Sequence, residues 1–204
     1  MTLELSTFAI NARKYLNDLL TSFNQQVLTN VEELAEDILQ AWIDGRSVYI
    51  CGNGGSAANA IHMANDFHYG IGACGSNPQI PGLRVEALPA NTAILTCLAN
   101  DTGYENIYAN QLQVKGRKDD LLIVLSGSGN SKNVIEALKV ARKLKMKSFA
   151  LLAFDGGECK KLADKAIHFE IDDMQIAEDT QLVVGHLCMQ WLNNNKPKEI
   201  NICQ

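Results

Sequence analysis

Apolar residues in the first fifth of the chain recur at intervals of three and four, the spacing of a helix that buries one face. The set consists of Leu16, Leu19, Leu20, Phe23, Val27, Val31, Leu34, Ile38, Leu39 and Trp42. The pattern predicts helical structure from residue 4 to about residue 44, with a break near Thr29 and with Asn30 as the N-cap of a second helix. One domain can hardly cover the apolar surface of so long a helical arm. Residues 1–45 are therefore expected to pack against another copy of the chain.

After Gly45 the pattern changes to short apolar runs that alternate with helical periodicity. We predict strands at about 47–51, 84–88, 121–125, 148–153 and 166–171, and helices at about 56–69, 92–99, 105–113, 130–144 and 176–193. A loop is expected at 70–82, and a polar tail at 195–204. Alternating strands and helices predict an α/β domain at 46–194, with five parallel strands and helices on both faces of the sheet.

Composition and charge narrow the classes of function. The chain has 204 residues, of which 47% are apolar and 20% charged, as in an ordinary globular domain. A net charge of -5 argues against a surface for nucleic acid or anionic membranes. The N-terminus lacks the basic start and apolar centre of a signal peptide, so we expect a cytoplasmic protein. The six cysteines form no Cys-x-x-Cys pair and are expected to be reduced thiols.

Two turns rich in glycine and serine carry the candidate chemistry. The first, at 52–56, reads Gly-Asn-Gly-Gly-Ser, and the second, at 126–131, reads Ser-Gly-Ser-Gly-Asn-Ser. Each follows a predicted strand and opens into a predicted helix, and Ser131 stands where an N-cap is expected. Glycines allow close approach of the backbone, hydroxyls add donors, and a helix N-terminus attracts anions. The turns therefore predict binding of a phosphorylated small molecule.

The nature of that molecule can be narrowed further. Neither turn ends in Gly-Lys-Ser/Thr, so neither is a P-loop. The first turn also lacks the Gly-x-Gly-x-x-Gly spacing of a dinucleotide site. We therefore expect no nucleotide cofactor and a ligand smaller than a nucleotide.

At this point the chain resembles a known family. Four motifs look like those of the sugar isomerase (SIS) domain. They are Cys-Gly-Asn-Gly-Gly-Ser at 51–56, the second turn with Asn-Val-Ile-Glu-Ala at 133–137, Asp-Gly-Gly at 155–157 and Ala-Asn-Asp at 99–101. The phosphoheptose isomerase group is the most similar part of that family, and the resemblance covers nearly the whole chain. It implies a flavodoxin-like sheet and a homo-oligomer, expected to be a tetramer with sites at subunit boundaries.

The resemblance also implies a set of substrate-binding residues. In the family the second turn holds the sugar phosphate, and the first turn binds the rest of the sugar. Carried over to this chain, the set comprises Ser126, Gly127, Ser128 and Ser131 for the phosphate, Asn53, Gly54, Gly55 and Ser56 for the sugar, and Asp101 and Gln181 as lining residues. Asp101 is expected in a turn.

The catalytic set matches the family only in part. The family uses a glutamate on the helix after the first turn and a histidine on the last helix, and some members hold zinc between these two, a second histidine and a glutamine. His62 and Gln181 match, but Asp66 stands at the glutamate position and Met189 at the position of the last-helix histidine. His186 lies three residues earlier. Either His186 has taken over the role, a neighbouring subunit supplies it, or this chemistry is reduced or absent.

A carboxylate at position 66 is one carbon shorter than glutamate, a setback of about 1.5 Å. His62 and Asp66 are four residues apart, so both can face one pocket. With Gln181 and His186 they are a candidate zinc shell. Alternatively, His62 is a hydrogen-bonded histidine beneath the turn and Asp66 pairs locally. Glu178, at the start of the last helix, either suits the helix dipole or acts as a base.

Three functions compete. The first is isomerisation of sedoheptulose 7-phosphate to D-glycero-D-manno-heptose 7-phosphate through an enediol. The second is the same chemistry on another sugar phosphate, with Asp66, His186 or Glu178 in a rearranged site. The third is a non-catalytic phosphosugar-binding or protein-interaction module, resembling the replication-initiator-associating relative of these isomerases. The retained His62, Gln181 and carboxylate favour an isomerase.

Overall fold

The structure is a computed structural model that describes residues 6–73 and 79–200 of the 204-residue chain. The strands are β1 (Ser47–Gly52), β2 (Arg84–Ala87), β3 (Leu121–Ser126), β4 (Lys147–Leu152) and β5 (Lys165–His168). The α-helices are α1 (Thr7–Ser22), α2 (Gln25–Ile43), α3 (Gly55–Asn65), α4 (Ile71–Ala73), α5 (Thr92–Thr102), α6 (Ile107–Lys115), α7 (Lys132–Leu144), α8 (Gly157–Leu162) and α9 (Met174–Asn194).

The five strands form one parallel sheet in the order β2-β1-β3-β4-β5. Strand residues alternate between its two faces. Val48 and Ile50 belong to a core packed beneath α2, α3 and α9, whereas Tyr49 and Cys51 belong to a core packed beneath α6 and α7. The predicted α/β sheet with helices on both faces is therefore confirmed. β5 ends at residue 168 instead of the predicted 171.

The break between the first two helices was predicted six residues too late. α1 ends at Ser22, and Asn24 caps α2 by accepting a hydrogen bond from the backbone N–H of Val27 at 3.0 Å. Asn30 lies inside α2, where its Nδ2 donates to the carbonyl of Ala166. The helix continues through position 30 because its apolar spacing is unbroken there. Residues 4 and 5 lie outside the described part of the chain.

The two N-terminal helices differ in how much of them the fold buries. α2 places seven buried residues in the core, but none of the residues of α1 is buried in a single chain. Phe8 and Leu20 of α1 are 81% and 74% exposed, and Ile10 and Leu16 are also exposed. These exposed apolar residues are the surface expected to meet another copy of the chain.

The helix after the first turn changes geometry part of the way along. α3 ends at Asn65, and a π-helix at Asp66–Gly70 connects it to α4, so helical structure extends into the predicted loop at 70–82. The N–H of Leu83 donates to the carbonyl of Phe67 at 2.9 Å and draws it away from the usual helical partner. Gly82 makes this approach feasible, because a Cβ there would lie 1.9 Å from the carbonyl oxygen of His68.

The described part of the tail touches the body of the protein. Lys196 Nζ donates to the carbonyl of Gly72 at 3.0 Å, and Ile200 packs against the core beneath α2 and α9. Residues 201–204 of the predicted tail lie outside the described residues. Within the described ranges, every helix is too short or too polar to cross a membrane.

Candidate active site

Both turns lie at the point where the strand order of the sheet reverses. β1 and β3 are neighbours in the middle of the sheet, and the chain leaves them toward opposite edges. Gly52 at the end of β1 is in register with Leu125 of β3, so the two turns start side by side. Ligands of such sheets bind in the crevice beyond the carboxyl ends of the strands at this switch point.

The first turn brings a helix N-terminus close to β3. A Cβ at Gly52 would lie 2.7 Å from the carbonyl oxygen of Leu125, so only glycine allows this approach. Gly54, with φ +55, is the N-cap of α3 and supplies no side chain to cap its amides. The carboxylate of Glu178 lies against Gly55, with an oxygen 2.3 Å from the position of a Cβ. Glu178 thus lies near the N-terminus of α3. The interpretation that it suits the dipole of its own helix is wrong, because α9 begins at Met174 and has no acidic residue in its first turn.

The second turn is held by its own serines and by the following Asp-Gly-Gly segment. Ser126 Oγ accepts from the N–H of Gly129 at 3.1 Å, and Ser128 Oγ accepts from the N–H of Asn130 at 3.3 Å. Both hydroxyls keep their own proton to donate. Gly129 has φ +66, and a Cβ there would lie 2.1 Å from the carbonyl oxygen of Gly156.

Ser131 is the N-cap residue of α7, as the sequence predicts, but its hydroxyl does not cap the helix. That hydroxyl therefore lies at the helix N-terminus and makes no capping hydrogen bond. Gly127 lies beneath Met174, whose sulfur would be 2.7 Å from a Cβ at position 127. The turn combines hydroxyl donors with a helix N-terminus, which suits an anion.

Three of the predicted chemical groups converge between α3 and α9, which pack against each other. His62 Nε2 and His186 Nε2 are 3.0 Å apart. Asp66 Oδ2 lies 3.5 Å from the first nitrogen and 3.7 Å from the second. Two imidazoles and a carboxylate within 4.8 Å of one another are a donor set that zinc accepts.

Met189, at the family's histidine position, lies elsewhere along α9. Its methyl group would be 2.9 Å from a Cβ at Gly70, and its side chain packs against the core. His186, one turn earlier, is the α9 residue that meets Asp66. The shorter carboxylate and the displaced histidine thus meet each other.

Gln181 and Asp101 both accept hydrogen bonds from other side chains of the protein. Gln181 is 2% exposed, and its Oε1 accepts from Nδ2 of Asn59, a residue of α3 one turn before His62. Asp101 was predicted in a turn but lies in the last turn of α5, because the helix continues to Thr102 before Gly103. Its oxygens accept from Asn100 and Cys97 on the same helix. This carboxylate raises the pKa of the Cys97 thiol above its ordinary value.

Sequence reasoning missed the residues that hold Asn53. Asn53 and Asn133 exchange two amide hydrogen bonds of 2.8 Å. Tyr104 donates to Asn53 Oδ1 at 3.0 Å, and the hydroxyl of Tyr108 donates to the carbonyl of Gly52. Some 50 to 80 residues separate these partners, so no local pattern could have found them.

The family profile of the SIS domain matches residues 13–153. The match spans more than half of the chain, which therefore belongs to the SIS domain family.

Relatives within that family are phosphoheptose isomerases. The chain is 35% identical over 166 residues to the phosphoheptose isomerase of Sulfurimonas denitrificans, covering 80% of this chain and 82% of the relative. It is 37% identical over 160 residues to that of Akkermansia muciniphila, covering 78% and 80%. The solved phosphoheptose isomerase of Neisseria gonorrhoeae has a TM-score of 0.82 and 27% identity, covering 92% of this chain and 97% of that one. The predicted resemblance to this group is confirmed.

Proposed function

We propose that the chain converts sedoheptulose 7-phosphate to D-glycero-D-manno-heptose 7-phosphate through an enediol. Membership of the phosphoheptose isomerase group makes it a sugar-phosphate isomerase. The observation that carries the proposal is the meeting of His62, Asp66 and His186 between α3 and α9. Those groups can move protons, and two of them, His62 and Asp66, lie at the C-terminal end of α3, the helix that follows the first turn.

The phosphate is proposed to lie on the second turn. Ser126 and Ser128 use their oxygens as acceptors within the turn, which leaves both hydroxyl protons to donate to phosphate oxygens. Ser131 adds a third hydroxyl at the N-terminus of α7. The positive end of that helix favours the dianion. The sugar chain then runs toward Ser56 and the first turn, since the two strands that lead into the turns are neighbours.

Proton transfer between two adjacent carbons requires a base beside them and an acid near their oxygens. Asp66 is proposed as the base, and His186 as the group that exchanges a proton with the sugar oxygen. Their separation of 3.7 Å supports a shared role, because two groups this close can contact the same substrate. Glu178 of α9, whose carboxylate lies against Gly55 at the start of α3, is the alternative base. In this scheme His186 replaces the family's histidine at position 189.

The donor set also fits a zinc ion. His62, Asp66 and His186 would hold it, because their ligand atoms already lie within 4.8 Å of one another. Gln181 is the proposed fourth ligand, although its Oε1 already accepts from Asn59 and has one lone pair left for a metal. A bound zinc ion would polarise the oxygen of the substrate carbonyl.

A homo-oligomer is proposed, with a tetramer as the expected form. The exposed apolar residues of α1 support this proposal. α1 contacts the helix that carries the candidate groups, because Tyr15 donates to Asp179 of α9 at 2.5 Å. Assembly through α1 would therefore lie close to the active site.

The test is a turnover assay that follows aldose formation from sedoheptulose 7-phosphate, with and without added zinc. We expect turnover by the wild type, and loss of substrate affinity in Ser128→Ala with the free energy of unfolding nearly unchanged. No turnover together with tight binding of the sugar phosphate would favour the non-catalytic module. No binding of any sugar phosphate would overturn all three functions.

A further inference from the structure

The amide of Asn53 is oriented by a backbone group on α7. The N–H of Val134 donates to Asn133 Oδ1 at 3.0 Å. This bond identifies which atom of the Asn133 side-chain amide is the oxygen. Asn133 Nδ2 then faces Asn53 Oδ1, and Asn53 Nδ2 faces Asn133 Oδ1. Asn133 is 1% exposed, so its side of this reciprocal pair is shielded from water. It ties the first turn to the helix that follows the second.

These bonds use most of what Asn53 could offer a ligand. An amide oxygen accepts two hydrogen bonds, and Asn53 Oδ1 accepts from Asn133 and from the hydroxyl of Tyr104 at 3.0 Å. The hydroxyl of Tyr108, 3.4 Å away, has a better acceptor in the carbonyl of Gly52. Burial raises the pKa of Tyr108 above its ordinary value and keeps it a donor. Among the described contacts, one of the two Nδ2 hydrogens of Asn53 is left to donate to a ligand.

The hydroxyl of Tyr104 lies beside the first turn in a defined orientation. It opens a short 3-10 turn, Tyr104–Asn106, and its side chain is 58% exposed. Its proton goes to Asn53, so the phenol oxygen presents lone pairs to its surroundings beside the remaining N–H of Asn53. An acceptor next to a donor matches a hydroxyl group, which both donates and accepts.

We propose that Tyr104 is a further substrate-binding residue that accepts a hydrogen bond from a hydroxyl of the sugar chain, beside the N–H of Asn53. The inference rests on the proposed function and assigns the sugar chain a contact between the two turns. Phosphate does not suit this position, because its oxygens would face the lone pairs of the phenol. The ligand chemistry is therefore that of a polyol.

Tyr104→Phe removes only the hydroxyl from an exposed ring, so the variant is expected to fold. We expect KM for sedoheptulose 7-phosphate to rise about 3- to 10-fold, the effect of one neutral hydrogen bond, with kcat within about twofold of wild type. The dissociation constant of inorganic phosphate, measured by calorimetry, should stay within about twofold because the second turn is untouched.

Tyr49→Phe is the matched control. Its hydroxyl donates to the carbonyl of Lys115 at 3.1 Å. Loss of that bond should alter neither KM for sedoheptulose 7-phosphate nor the dissociation constant of inorganic phosphate. An unchanged KM in Tyr104→Phe, with an active wild type, would overturn the role of Tyr104 and leave the proposed function standing. If the wild type does not turn over, calorimetry with sedoheptulose 7-phosphate decides: weaker binding by Tyr104→Phe supports the contact, and equal binding or none overturns it.

Discussion

Replacement of Gly129 by alanine tests how the second turn is built, and Gly54→Ala is its matched control. Both glycines have positive φ, +66 and +55, so alanine is strained at either position at a cost of about 1–3 kcal/mol. They differ in what a Cβ meets. At Gly129 it would lie 2.1 Å from the carbonyl oxygen of Gly156, whereas at Gly54 nothing lies within 4 Å.

A backbone carbonyl cannot swing aside as a side chain can, so overpacking should add about 1–3 kcal/mol at position 129 alone. We therefore expect a larger loss, about 2–6 kcal/mol, in Gly129→Ala than in Gly54→Ala, where it should be about 1–3 kcal/mol. Urea unfolding at one protomer concentration measures both, since assembly shifts apparent stability. Equal losses in the two variants would refute the packing of the second turn against Gly156.

Three further predictions concern the site. His186→Ala should lower kcat at least about 100-fold while the dissociation constant of the sugar phosphate changes little, and an unchanged kcat in the turnover assay would remove His186 from the mechanism. Gly55→Ala should push aside the flexible carboxylate of Glu178 and lower the free energy of unfolding in urea by no more than about 1 kcal/mol. A retained kcat/KM in this variant would argue that Glu178 is not the base. Asp101→Asn should speed alkylation of Cys97, quantified by mass spectrometry at pH 8, because Asp101 raises the pKa of that thiol. An unaltered rate would contradict the contact between them.

The sheet and the position of its two turns could be predicted because period-two apolar runs and glycine-serine turns are local signals. The convergence of His62 and Asp66 also has a local cause, their spacing of four on one helix. The meeting of His186 with this pair was only one of the alternatives. It depends on how α9 packs against α3, and in the structure the side chain of Met189 lies against Gly70.

Other features had no local signal. Asn24 and Asn30 are equally good caps by residue type, and the choice depends on where Phe23 turns to pack against Phe169. The π-helix coincides with a hydrogen bond from the N–H of Leu83 to the carbonyl of Phe67, a contact that depends on tertiary structure. The Asn53–Asn133 pair likewise depends on tertiary structure.

The most direct test of the account is a crystal structure with sedoheptulose 7-phosphate bound. The account predicts phosphate oxygens about 3 Å from the hydroxyls of Ser126, Ser128 and Ser131, with the carbonyl end of the sugar toward His186. A phosphate found elsewhere, with this turn unoccupied by the ligand, would contradict the account.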